Sequence, residues 1–315
     1  MTALHTDRKN IPPAVQSCVL AIGNFDGVHL GHRALIQQAK EIAVAAGAPL
    51  GVITFEPHPR QFFQTVAKPF RLTLPPMKQR LLQEMGVDHV FVLPFNRELS
   101  SLTGEEFIDK ILVQDLKARH VVVGESFAFG KARSGNVQTL EKANDKFKLT
   151  IVKPVLSPEG KRYSSSAIRD LLRQGQFEEA NKQLGWSWQI ESPVVNGDKR
   201  GRELGYPTAN QNVPDYVRIP YGIYAVRVLI EGETSWREGV ANFGVRPMFK
   251  IAQPIFETFI FDFSADIYGK NMRVLPVRHL RPEQSFSDIA ALTTQMKEDC
   301  IDAKAVLKSV PTFMS

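Results

Sequence analysis

The chain changes rhythm once, and that change limits what it can fold into more than any other feature. In its first half, short apolar runs (VLAIGNF, LGVITFE, HVFVLPF, HVVVGE and LTIVKPV) alternate with segments of helical periodicity. The clearest helical segment follows the first run: Leu35, Ile36, Ala39, Ile42, Ala43 and Ala46 fall on one face, and Gly47 stands where the helix should end. MKQRLLQEMG and GEEFIDKILVQDL repeat the pattern. Strand and helix in alternation predict an α/β architecture, a parallel sheet with helices on both faces and ligands beyond the carboxyl ends of its strands.

After SSSAIRDLLRQGQFEEANKQLG the rhythm becomes that of short extended segments, IYAVRVLI, WREGVANFG, IFETFIFDF and MRVLPVRHL, separated by glycine and proline. That spacing predicts a compact antiparallel barrel or sandwich. A helix over residues 285–307 is expected to pack across it. The boundary falls near Gly185 and Trp186, giving domains of 1–185 and 186–315.

At 315 residues and 43% hydrophobic content the chain has room for two domains with real cores. Its 39 basic and 33 acidic residues leave a net charge of +6, spread along the chain and suited to anionic small molecules. No basic stripe with interleaved aromatics marks a nucleic-acid surface, so nucleic acid is not an expected partner. Cys18 and Cys300 offer neither a disulfide framework nor a cysteine zinc site. MTALHTDRKNIPPAV lacks the apolar core of a signal peptide, and no segment approaches the ~18 apolar residues of a membrane span. The expectation is a cytoplasmic protein without a membrane partner, acting on small molecules as a monomer or weak homo-oligomer.

AIGNFDGVHLGHRALIQQA, residues 21–39, carries the first candidate site. Gly23, Gly27 and Gly31 let the backbone turn tightly and approach a ligand, and the helix that follows offers unpaired N–H groups at its start. Gly23, Asn24 and Gly31 are the expected nucleotide contacts here. His29 and His32, three apart, are either ordinary turn residues or imidazole donors to a phosphate whose charge grows during transfer. Their place after an apolar strand and among three glycines favours the second reading. In YSSSAIRDLL, Ser164, Ser165 and Ser166 precede a helix with Arg169 in its first turn. They are either helix caps or, with Arg169, a second phosphate clamp. Two clamps suit a nucleoside triphosphate.

VVNGDKRGRELGYPTANQ holds the second candidate site, with Gly197, Gly201 and Gly205 spaced four apart in a basic loop able to approach phosphates. If the next residues are extended, Thr208 and Asn210 share a face, where a hydroxyl and an amide oxygen can ligate Mg²⁺. The alternative is a turn leading into a strand. In FETFIFDF a two-residue period puts Glu257 on the side of Phe259, Phe261 and Phe263, with Asp262 facing the other way. Glu257 is then either a strand-end glutamate reaching solvent or a base placed to take a proton from a hydroxyl.

GNFDGVHLGH, FEPHPR, VVVGESFAFG and SSSAIR resemble, in order, the adenylyltransferase half of the bacterial bifunctional riboflavin kinase/FMN adenylyltransferases, also called FAD synthetases. GDKRGRELGYPTAN, GIYAVRV, GVANFGVRP, FETFIFDF, DIYGK and LRPEQ resemble the riboflavin kinase module of the same family, so the likeness covers nearly the whole chain. The resemblance implies a Rossmann-like nucleotidyltransferase domain followed by a kinase barrel. It implies ATP-dependent phosphorylation of riboflavin to FMN in the second and adenylylation of FMN to FAD, releasing pyrophosphate, in the first. His29, His32, Ser165, Ser166 and Arg169 would hold phosphates, Thr208 and Asn210 would hold Mg²⁺ and phosphate, and Glu257 would be the general base. Asn242 and Arg246 match further family positions. Ser126, Ala128, Ala167, Asn196 and Lys199 stand where the family usually has other residues.

Other readings share some of these residues. An adenylyltransferase for another phosphorylated metabolite, with a barrel that only binds flavin or regulates, is opposed by the intact set Thr208, Asn210 and Glu257. A flavin-binding protein without turnover is separated from an enzyme only by assay. A tRNA synthetase would need the lysine-rich second signature of its class.

Overall fold

A computed structural model describes residues 2–64, 69–197, 201, 204–213, 215–245 and 254–310. The chain divides into two compact units, one of Met1–Lys68 with Thr73–Ser165 and the other of Pro69–Leu72 with Ser166–Ser315.

In the first unit β1 (Ala3–His5), β2 (Val19–Ile22), β3 (Leu50–Glu56), β4 (His89–Pro94) and β5 (His120–Gly124) belong to one sheet. A two-stranded ribbon of β6 (Ala128–Phe129) and β7 (Gly135–Asn136) precedes the last strand of that sheet, β8 (Lys148–Val152). The order β1-β4-β3-β2-β5-β8 is parallel throughout. Its helices are α1 (Leu30–Ala46), α2 (Pro59–Phe63), α3 (Pro75–Glu84), α4 (Arg97–Ser101), α5 (Gly104–Phe107, continued by π-helical turns over Ile108–Asp115) and α6 (Val137–Glu141). Each apolar run of the first half is thus a strand. β2 is buried at every residue, as strands covered on both faces must be. Gly47, with φ 57° and ψ 37°, ends α1 by giving its N–H to the Ala43 and Val44 carbonyls. β1 is too short to show a period; it is held by its pairing with β4 and by Thr2 Oγ1, which donates to the Val87 carbonyl at 2.6 Å.

The chain leaves β2 toward β3 on one side, while β5 lies on the other. The strand order reverses there, so the turn after β2 occupies the place where open α/β sheets bind ligands.

In the second unit α7 (Ser165–Arg173) and α8 (Phe177–Leu184) lead into β9 (Ile190–Val195), β10 (Thr208–Asn212), β11 (Gly222–Ile230), β12 (Arg237–Val245), β13 (Pro254–Ile260) and β14 (Asn271–Arg281). These strands close an antiparallel barrel in the order β10-β13-β12-β11-β14-β9. Trp188, Tyr224, Phe243 and Phe256 are fully buried in its core. Phe177 of α8 stacks on Trp188 with centroids 6.4 Å apart and meets Tyr224 edge-on at 5.8 Å. Those contacts group α8 with the barrel, although Gly185 does end a helix, with φ 75°. The closing helix, α9, runs over Ile289–Ser309 and starts later than expected because Asp288 caps it, accepting the Ala291 N–H at 2.8 Å. Among the described residues no helix is long and apolar enough to cross a membrane.

Candidate active sites

His29 is the N-cap of α1, and its Nδ1 accepts the His32 backbone N–H at 3.3 Å. Accepting through Nδ1 leaves the proton of the neutral ring on Nε2, which fixes the tautomer. The His29 and His32 rings stack with centroids 3.6 Å apart and 18° between their planes, and Phe25 meets His32 edge-on at 5.3 Å. His29 is 6% exposed, so its neighbours hold it in one orientation. Gly31 makes room for it, since a Cβ there would lie 3.1 Å from His29 Cε1. Gly23 is half-buried beside Phe25, and Asn24 is exposed.

The turn joining β2 to the histidines is bent hard. Phe25 has φ 50° and Val28 φ 37°, a region disfavoured for any side chain and most of all for a β-branched one. Residues outside the sequence motif hold it there. The Asp26 carboxylate accepts the Thr73 N–H at 3.0 Å, Thr73 Oγ1 accepts the Gly27 N–H at 3.0 Å, and Ser165 Oγ donates to the Asp26 carbonyl at 2.8 Å. On the other side, Thr54 Oγ1 and Lys78 Nζ both donate to the Asn24 carbonyl at 3.2 Å. Lys78 is 2% exposed and pairs with Glu56 at 3.1 Å. A sequence signal for it did exist: Lys78 shares a helical face with Met77, Leu81 and Leu82, the buried stripe of α3.

Ser165 therefore belongs to the histidine turn, whereas Ser166 is exposed at the start of α7. Arg169 is 6% exposed within the second unit; its Nε donates to the Phe70 carbonyl at 2.7 Å and its guanidinium lies 5.2 Å from the Phe70 ring centroid. Ser126 Oγ accepts from Arg162 Nη2 at 2.7 Å, and Ala128 lies in the ribbon opposite Asn136.

In the barrel, β13 lies between β10 and β12, and Glu257 pairs across with Asn210 on one side and Asn242 on the other. Thr208, Asn210, Asn242, Glu257 and Gly201 all line one cavity of about 650 Å³. Gly197 is fitted to this site: a Cβ there would stand 2.3 Å from Asn210 Nδ2. Gly205 has φ 85°, and Asn196 is exposed. Lys199 and Arg246 lie outside the described residues.

The aromatic face around Glu257 is shorter than the two-residue period predicts. Strand β13 stops at Ile260 and the chain turns at Asp262, with φ 53°, so the alternation ends there. Phe259 lines the cavity; Phe261 packs with Ala303 and Leu307 of α9, and Phe263 lies under the Arg237 guanidinium. The opposite wall is built partly by the LRPEQ segment and partly by α9. Arg281, the last residue of β14, holds Asp299 of α9 through two hydrogen bonds of 2.7 and 2.6 Å, and Asp299 is 5% exposed. Next to it Cys300 also faces the cavity, its thiol pushed up to about 11 by burial and by the Asp299 charge.

Residues 11–167 match the FAD synthetase family and residues 184–307 the riboflavin kinase family. Proteins named bifunctional riboflavin kinase/FMN adenylyltransferase are similar along nearly their full length. The one from Escherichia coli K12 is 38% identical over 290 residues, 92% of each chain. That from Pseudomonas fluorescens is 40% identical over 301 residues, 94% of this chain and 95% of that one. A crystal structure of a protein from Streptococcus pneumoniae named macrolide-efflux protein superposes with a TM-score of 0.81 at 31% identity, over 95% of this chain and 97% of that one. A nucleotidyltransferase-type sheet followed by a kinase-type barrel defines a two-part flavin-nucleotide enzyme. The chain belongs to the bifunctional riboflavin kinase/FMN adenylyltransferase family.

Proposed function

We propose that the barrel, in the functional domain 186–315, transfers the γ-phosphate of ATP to the 5′-hydroxyl of riboflavin. The parallel-sheet domain, 1–185, then adenylylates FMN to FAD. The observation that carries the kinase assignment is Glu257 flanked by Asn210 and Asn242 in one cross-strand row on the wall of a single cavity. A carboxylate there takes the hydroxyl proton as the oxygen attacks, while the rest of the site aligns donor and acceptor and offsets charge.

Thr208 and Asn210 offer a hydroxyl and an amide oxygen to Mg²⁺, which commonly binds through one or two protein groups together with substrate phosphates. Bound there, Mg²⁺ would offset phosphate charge. Gly197 and Gly201 leave the backbone open beside those two side chains.

In the first domain the His29 and His32 imidazoles and the start of α1 bind the ATP phosphates as the FMN phosphate attacks the α-phosphorus and pyrophosphate leaves. Donors fixed in place before the reaction lower its barrier most where charge develops. Ser165 joins that turn through its bond to the Asp26 carbonyl. The protein is proposed to work in the cytoplasm as a monomer or weak homo-oligomer, without nucleic acid.

Incubation with riboflavin, ATP and Mg²⁺, followed by chromatographic separation of flavins, tests this reading. FMN should appear first and FAD after it. Accumulation of neither, with flavin bound unchanged, would leave only a binding protein.

A further inference from the structure

Lys78 is a charged residue on the buried face of α3, 2% exposed, and no motif of the family resemblance includes it. Its Nζ donates to the Asn24 carbonyl at 3.2 Å, to Thr54 Oγ1 at 3.2 Å and to Glu56 Oε1 at 3.1 Å. Those partners come from two places: Asn24 opens the bent turn before the histidines, and Thr54 and Glu56 end β3. Thr54 Oγ1 itself donates to the same Asn24 carbonyl at 3.2 Å.

A buried ion pair is a poor way to gain stability, because removing two charges from water costs about as much as their attraction returns. The pair does something an apolar residue could not. A single ammonium, with donors in three directions, holds a carbonyl of the turn to fixed points on a sheet strand. The turn it holds carries Phe25 at φ 50° and Val28 at φ 37°, conformations that persist only where surrounding bonds impose them. The opposite end of the turn is held by Asp26, Thr73 and Ser165. Lys78 is the anchor of the near end.

We propose that Lys78 is a positioning residue for FMN adenylylation, setting the histidine turn through the Asn24 carbonyl so that the His29 and His32 donors meet the phosphates where charge develops. It touches no reacting atom. The inference rests on the reading of the histidine turn as the ATP phosphate site. It implies that loss of Lys78 lowers the rate of the bound complex more than it weakens binding, since misplacing donors that act in the transition state costs kcat.

Riboflavin phosphorylation, assigned to residues of the barrel, controls for the amount of enzyme, and unchanged KM for FMN and ATP controls for folding of the unit that carries Lys78. In Lys78→Met, kcat for FAD formation from supplied FMN should fall by about 30-fold or more. KM for FMN and ATP should stay within about threefold, and riboflavin phosphorylation should be unchanged. Lys78→Arg, which keeps the charge, should recover part of the loss. Thr54→Val, nearly isosteric, removes one of the two donors to the Asn24 carbonyl and should lower the same kcat by about fivefold; it decides the question if Lys78→Met does not fold. A folded variant of either residue with kcat within twofold of wild type would overturn the proposal, as would a loss confined to KM. His29→Ala, run alongside, separates the two ideas. If it leaves FAD formation intact, the site reading fails; if it slows FAD formation strongly while Lys78→Met keeps kcat within twofold of wild type, only the positioning role fails.

Discussion

His29 Nδ1 accepts the backbone N–H of His32 at 3.3 Å while the two imidazoles stack 3.6 Å apart, so one side chain both caps α1 and orients its partner ring. The two roles can be separated. Asparagine is a good N-cap and alanine a poor one. His29→Asn should therefore keep the stability of the wild type, and His29→Ala should lose about 1 kcal/mol, measured by urea unfolding. Both should slow FAD formation from FMN by roughly 10²–10³-fold, because both remove a donor from the phosphate site. Recovery of activity in His29→Asn would show that the cap, not the imidazole, is what the reaction needs.

Gly197 touches the second site rather than the first. Its added Cβ would stand 2.3 Å from Asn210 Nδ2, and either the loop or the amide must move. Gly197→Ala should reduce riboflavin phosphorylation by about tenfold or more, since small misplacements of positioning groups are costly in rate. FAD formation from supplied FMN should continue at the wild-type rate. Equal losses in both assays would mean the substitution acts on the whole chain.

Much of this architecture was legible in the sequence. The apolar runs that became β2, β3, β4 and β5 are continuous because both faces of a parallel sheet are covered, and a continuous run shows at once. Strand alternation, with its period of two, put Thr208 and Asn210 on one face and Glu257 on the side of Phe259, a period the structure follows as far as Ile260; only the family resemblance joined the three in one site. The alternation fails at Asp262, whose positive φ no period announces. The residues that hold the histidine turn were hidden for another reason. Thr73 reaches Asp26, and Lys78, paired with Glu56, reaches Asn24, across separations that no local motif spans. Arg281 and Asp299 pair across the cavity wall in the same way.

Three histidines of the first unit give its stability a pH dependence. Burial holds His5, His89 and His120 below the ordinary value of 6.5; the charge of His5 adds to the effect on His89 and that of Lys148 to the effect on His120. Well above pH 6.5 these histidines are neutral in folded and unfolded chains alike and contribute no pH dependence. As the pH falls through 6.5 the unfolded chain takes up protons that the folded one resists, so folding weakens until the folded-state values are passed. Urea midpoints measured from pH 7.5 down to about 5 should therefore decrease. His5→Leu should lessen the slope, because it removes one group of the pair whose rings bond at 3.3 Å. A midpoint that rises on acidification would contradict the assignment.

The division of labour between the two halves is tested most directly by mixing two damaged chains. His29→Ala should convert riboflavin to FMN and stop there. Glu257→Gln should convert supplied FMN to FAD but leave riboflavin untouched, with phosphorylation slowed by about 10²–10⁴-fold as for loss of a general base. Neither alone should carry riboflavin to FAD, and the mixture, given ATP and Mg²⁺, should do so through FMN released into solution. If either folded variant loses both partial reactions, or if the mixture makes no FAD although each partial reaction is intact, the two sites do not work as separate catalysts of successive steps.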